Sequence, residues 1–125
     1  MERERFEQLV EKALAEIPKK FRKLLDNLAV IVEEEPRKDI YKNTRTSPLA
    51  KILGTYHGIP FKHRGPFYGN YPPDMIVIYQ KTIEETCTSE EDIQKKIREV
   101  VFHEVGHYFG LTEEELRDIE NNGTF

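Results

Sequence analysis

The segment from Ser89 to Phe109 constrains the chain most, because it reads as an amphipathic helix with ionisable groups on its apolar side. Ile93, Ile97, Val100, Val101 and Tyr108 recur at helical spacing and form one stripe. At about 100° per residue, Glu104 falls in the middle of that stripe and His103 and His107 fall at its edge. Ser89, followed three residues later by Asp92, resembles a capping box with Asp in place of the usual Glu or Gln, and it predicts where the helix begins. An ionisable group buried without a partner costs several kcal/mol, so three of them on the inward face of one helix call for a compensating ligand. A single metal ion compensates all three.

The sequence here is His103-Glu104-Val105-Gly106-His107. Two histidines four apart rise about 6 Å along a helix on nearly the same side, so both imidazoles reach one tetrahedral zinc ion at about 2 Å. Zinc held in this way polarises a carbonyl and lowers the pKa of a water towards 7, which makes amide hydrolysis possible without a covalent intermediate. Glu104, next to the first ligand, is placed to take that water's proton and pass it to the leaving amine. A chain of this composition carries such a motif by accident roughly 0.02 times. The competing structural reading has His103 and His107 as core histidines bonded to backbone and Glu104 paired with a base such as Arg64.

A catalytic zinc takes three protein ligands and keeps one position for water. Gly110, three residues after His107, suits a left-handed helix end that turns the chain back under the metal, and Glu113 follows three residues later. Glu113 is the expected third ligand. Thr112 to Glu115 also reads as a capping box for a short last helix, in which Glu113 would only favour the helix dipole. Glu114, Asp118 and Glu120 are alternatives, as are His57 and His63 from the preceding loop.

Upstream, Phe6, Leu9, Val10, Ala13, Leu14 and Ile17 predict an amphipathic helix ended by Pro18. Phe21, Leu24, Leu25 and Leu28 suggest a short second helical piece, and Ala29 to Val32 a buried strand closed by Pro36. Residues 37–48 read as a surface loop, and Lys51 to Tyr56 as a second strand. Met75 to Tyr79 is the clearest strand and is expected to offer an edge to an extended peptide. Between these strands Gly58, Pro60, Gly65, Pro66, Gly69, Pro72 and Pro73 mark a turn-rich stretch. Its aromatics, Tyr68 and Tyr71 among them, are read with Tyr56 and Arg64 as loop packing rather than as catalytic groups. Three strands and at least three helices in this order predict an α+β fold, a small sheet of three or four strands packed against helices that include the motif helix.

At 125 residues, one domain spanning 1–125 is expected. Charged residues make up 34% and the net charge is −4 with no long Lys/Arg run, which argues against a nucleic-acid partner. No segment approaches the apolar length of a membrane span and the first residues do not resemble a signal peptide, so no membrane partner and a cytoplasmic location are expected. Cys87 is the only cysteine, which excludes an intrachain disulfide and a thiolate-only metal cage.

The sequence resembles the small bacterial zincin-like metallopeptidases, sometimes called minimal zincins. The likeness rests on Leu53 to Pro60 (Leu-Gly-Thr-Tyr-His-Gly-Ile-Pro) with Arg64, on Pro73 to Tyr79, and above all on Val101 to Leu111. With Glu113 included, the spacing His-Glu-x-x-His-x-x-Gly-x-x-Glu is that of the extended motif. The resemblance implies a compact α+β zincin fold and a site whose acidic position is usually Asp, where this chain has Glu113, one methylene longer. It implies a peptide or protein substrate and a zinc cofactor. No Met follows His107, so the methionine turn of larger relatives is absent. A non-catalytic metal-binding or interaction domain that keeps the fold is the alternative, and a non-peptide amide would use the same residues.

Overall fold

A computed structural model describes residues 1–25, 27–37, 52–58, 74–112, 114, 115 and 118. In chain order the elements are α1 (Arg3–Ala15), α2 (Lys19–Arg22), β1 (Leu28–Glu33), β2 (Gly54–His57), β3 (Asp74–Tyr79), α3 (Gln80–Glu85) and α4 (Glu90–Tyr108). The expected α+β architecture is present, a three-stranded mixed sheet packed against helices that include α4, the motif helix.

The sheet order is β1-β3-β2, with β3 parallel to β1 and antiparallel to β2. Alternation along β3 divides its side chains between two faces. Ile76 and Ile78 face the helices and are fully buried, together with Phe6 and Ile17 from the N-terminal helical region and with Ile97, Val101 and Val105 of α4. Each of these aliphatic side chains contributes about 1.5–3 kcal/mol of burial. Val77 and Tyr79 point the other way into a smaller cluster with Ile52 and Ile31.

The expectation that β3 presents an edge is incorrect, because β3 is the central strand and pairs on both sides. Its β-branched run reflects that position, since a strand covered on both faces and both edges has no polar positions to spare. Among the described residues β1 and β2 are the outer strands. The expected second helical piece shrinks to the single turn of α2, with Leu28 already in β1. The second strand begins at Gly54, whereas Lys51 lies outside the described residues. The loop at 38–48 and the aromatics Phe61, Phe67, Tyr68 and Tyr71 lie outside them too.

One element was not expected. α3 follows β3 without a loop, and its Thr82 and Ile83 continue the β-branched run of the strand. Gln80, at its start, bonds the N-terminal segment and the next turn of the helix. Arg3 donates to Gln80 Oε1 at 2.8 Å, and Gln80 Nε2 donates to the Met1 carbonyl and to Glu84 Oε1.

α4 runs beside α1 in the same direction, tied at the rim by Arg5 to Glu90 and by Arg98 to Glu16. Exposed pairs of this kind add little, and the buried stripe between them carries the packing. Both helix ends follow the sequence. Ser89 Oγ accepts the Asp92 amide at 3.1 Å, while the Asp92 carboxylate reaches back to the Thr88 hydroxyl and amide at 2.7 and 3.2 Å. At the other end Gly110 has φ +86°, Gly110 N–H bonds the His107 carbonyl, and Leu111 N–H bonds the Gly106 carbonyl. This is the Schellman arrangement, and an L side chain at position 110 strains it.

The Thr88 hydroxyl and amide hold the Asp92 carboxyl below its ordinary value, with Ser89 and Lys95 adding to the effect. A lowered carboxyl pKa stabilises the fold above the unfolded value, near 3.9, and that contribution is lost as pH falls through the folded value. Asp92→Asn is therefore expected to melt below wild type at neutral pH. The gap should close on acidification below about pH 4, as followed by circular dichroism melts across pH.

Candidate metal centre

The last two turns of α4 carry the site. His103 and His107 are half-buried, and Glu104 between them is buried at 7% exposure. This is the distribution that the helical wheel predicts, with the carboxylate under the stripe and the imidazoles at its margin. The Nε2 atoms of His103 and His107 stand 3.2 Å apart, with the two rings inclined at 83°. Two nitrogens bound to one tetrahedral zinc at 2.0–2.1 Å lie about 3.3 Å from each other. The observed separation is close to that spacing. Ligand atoms of His103, Glu104 and His107 all lie within 4.8 Å of one another.

The same 3.2 Å separation suits a single N–H···N bond between neutral imidazoles, so the tautomer distinguishes the two states. In the direct bond one Nε2 carries a proton, whereas metal ligation needs both Nε2 lone pairs turned inward and both protons on Nδ1. The end of α4 favours a cation. Unpaired carbonyls at a helix C-terminus carry a partial negative charge, and His107 lies in that last turn.

β2 lies against the buried side of the motif. A Cβ built on Gly54 would stand 3.3 Å from Glu104 Cγ and 2.7 Å from Val100 Cγ1, so the backbone of β2 runs directly along the base of the glutamate. Further along, Tyr56 meets Tyr108 edge-on at 6.1 Å and donates to Asp74 Oδ2 at 2.7 Å. Tyr108 is fully buried and its hydroxyl donates to the Leu24 carbonyl at 2.7 Å, which ties the helix beside His107 to the turn after α2. On the opposite face of the sheet, Tyr79 shares the Thr55 hydroxyl with His57. Burial pushes the Tyr79 hydroxyl up from its ordinary value, the Thr55 bond opposes this, and the charges of Glu33 and Glu104 add to the rise.

Of the expected site residues, His103, Glu104 and His107 are brought together. Glu113 lies outside the described residues, as do Glu120, His63 and Arg64. Among the described alternatives, Glu114 and Asp118 are exposed and outside the group of His103, Glu104 and His107, and the exposed His57 bonds Thr55. The capping box at Thr112 is formed, with the Glu115 amide donating to Thr112 Oγ1 at 3.1 Å and the Thr112 amide to Glu115 Oε1 at 3.3 Å. Sequence reasoning missed Gly54 and the Tyr56–Asp74 bond. A glycine inside a strand pattern was the available signal, since it marks a close approach of another group.

Residues 25–123 match the model of the zincin-like metallopeptidases. The chain belongs to the zincin-like metallopeptidase family. A conserved hypothetical protein from Thermo thermophilus has a similar solved structure, with a TM-score of 0.58 and 23% identity over 86% of this chain and 92% of that one. This likeness shows a shared fold. No curated protein matched the chain. Among the described residues, no helix of this family member is long and apolar enough to cross a membrane.

Zinc binding to the folded chain alone is expected to raise its melting temperature, with about 2.7 kcal/mol of stabilisation at a hundredfold excess over Kd. His103→Ala should abolish that gain. Differential scanning calorimetry with and without zinc, alongside metal analysis, makes the comparison; an equal gain in the variant would place the metal elsewhere.

Proposed function

We propose that the chain is a zinc-dependent peptidase in which His103 and His107 hold the ion, Glu113 supplies the third ligand and Glu104 is the general base. The observation that carries this reading is the convergence of two imidazole Nε2 atoms at 3.2 Å beside a buried carboxylate, on the motif helix of a zincin-like metallopeptidase. A carboxylate so close to both imidazoles is within reach of a water held in front of them. Its burial keeps competing solvent away, which strengthens its interaction with a cation and with the transferred proton. The half-buried imidazoles leave one side open to a substrate.

An extended peptide is the substrate class that the neighbouring strand favours. The Tyr79 amide bonds the Leu53 carbonyl at 3.0 Å, so Leu53 and Tyr79 form a hydrogen-bonded pair of the antiparallel ladder. Gly54, opposite Ile78, is then a non-hydrogen-bonded position whose N–H and C=O point away from β3. Among the described residues no strand pairs with that side of β2, so these groups are placed to receive an extended chain. The peptide edge sought at β3 thus moves to β2.

Glu104→Gln keeps the size of the side chain and removes its basicity. Zinc-loaded Glu104→Gln is expected to cleave a peptide library at least about a hundredfold more slowly than wild type, in line with the usual contribution of a general base. Undiminished cleavage would remove Glu104 from the role, and a zinc-loaded wild type that cleaves nothing would favour the non-catalytic reading. Glu113→Ala is expected to lower zinc occupancy after dialysis against a weak chelator, measured by metal analysis. Occupancy equal to wild type would pass the third position to another group.

A further inference from the structure

β2 and α4 run side by side with matched steps. Two residues of a strand advance about 6.7 Å and four residues of a helix about 6 Å. Gly54 accordingly meets Val100 and Glu104, and Tyr56, two residues on, meets Tyr108, four residues on from Glu104. The Tyr56–Asp74 bond at 2.7 Å secures this register, because Asp74 is buried at the start of β3. The strand therefore acts as a rail for the motif helix, and the residue on it that faces the glutamate has no side chain.

We propose that Gly54 is a positioning residue for Glu104, its missing side chain setting how closely the glutamate stem lies to the backbone of β2. The inference rests on the reading of His103, Glu104 and His107 as a metal centre. Any Cβ at position 54 meets Val100 Cγ1 at 2.7 Å and the Val77 carbonyl at 3.2 Å, so the Val100 side chain or the strand must shift. The same Cβ stands 3.3 Å from Glu104 Cγ, closer than ordinary van der Waals contact, so the glutamate must yield even if the helix does not. Neither histidine is among the atoms it meets most closely. The substitution thus acts on the carboxylate and leaves the imidazole pair to hold the ion.

Acetohydroxamate separates these effects. It chelates zinc through its two oxygens and forms a charge-assisted hydrogen bond with an adjacent carboxylate, so its affinity reports where Glu104 stands without any turnover. Calorimetric titrations of zinc-loaded wild type, Gly54→Ala, Glu104→Gln and the double variant form a double-mutant cycle. Gly54→Ala is expected to retain its zinc by metal analysis and to bind the hydroxamate about tenfold more weakly, the value of one charge-assisted bond. The double variant should bind no more weakly than Glu104→Gln alone. Wild-type affinity in Gly54→Ala, or losses that simply add, would overturn the proposal.

Should Gly54→Ala fail to fold, Gly54→Ala/Val100→Ala removes the 2.7 Å collision and keeps the contact with Glu104. That variant is compared with Val100→Ala alone, and equal hydroxamate affinities in the two would again refute the role. A wild type that takes up no zinc overturns both the positioning role and the metal-centre reading, whereas a zinc-loaded wild type whose hydroxamate affinity ignores Glu104→Gln overturns the positioning role alone. A Glu104-dependent wild type with no effect at Gly54 overturns the positioning role alone.

Discussion

The burial of one face of α4 against the sheet and α1 is the constraint on which the site depends. Ile97, Val101 and Val105 are fully or almost fully buried, and their combined burial outweighs the desolvation of the single carboxylate among them. That burial fixes the rotation of the helix. A turn of one residue, about 100°, would expose Val105 and drive an imidazole into the core, so the packing selects one setting. With the rotation fixed, the four-residue spacing brings the two Nε2 atoms together. Residues outside the site thus hold the geometry of the two imidazoles.

The ends of α4 fix its position along the axis as firmly as its stripe fixes the rotation. Ser89 and Asp92 satisfy the opening turn, and Gly110 reverses the chain immediately after the last turn. The motif consequently occupies the C-terminal end, where the carbonyl dipoles favour a bound cation. Tyr108 holds that end to the Leu24 carbonyl from inside the core, and Tyr56 supports it from β2. The site therefore sits where a charge-favouring terminus and a rigid attachment coincide.

Features with a local cause were legible in the sequence, and those with a non-local cause were not. The α1 and α4 stripes, the Ser89 cap, the Gly110 reversal and the Thr112–Glu115 box all follow from spacings within a few residues. The inward placement of Glu104 with half-buried His103 and His107 followed in the same way. Strand order did not, because the β-branched content of Met75 to Tyr79 signals burial without saying which neighbours provide it. α3 was hidden because Thr82 and Ile83 look like more strand, and Gln80's bonds to distant residues lie beyond any local pattern. Gly54 showed that something approaches, whereas Glu104 as the approaching group depends on how β2 and α4 meet. The third ligand is harder for a related reason: the sequence shows where the chain turns back, but several carboxylates follow that turn.

The arrangement also reconciles two demands that oppose each other. A metal ion and its substrate need access, while a carboxylate that handles a proton gains from a low-dielectric surround. On a helix, His103 and His107 lie about 40° apart, and Glu104 lies about 60° further round towards the core. A single turn therefore presents two imidazoles at the accessible margin and a carboxylate on the dry side, with no loop needed to bring them together. The demand then passes to whatever covers the dry side. A strand backbone without a side chain is the thinnest cover available, and β2 places Gly54 at that position. The amide and carbonyl of Gly54 point away from β3, so the residue that packs over Glu104 also lies on the edge where the proposed extended substrate would pair.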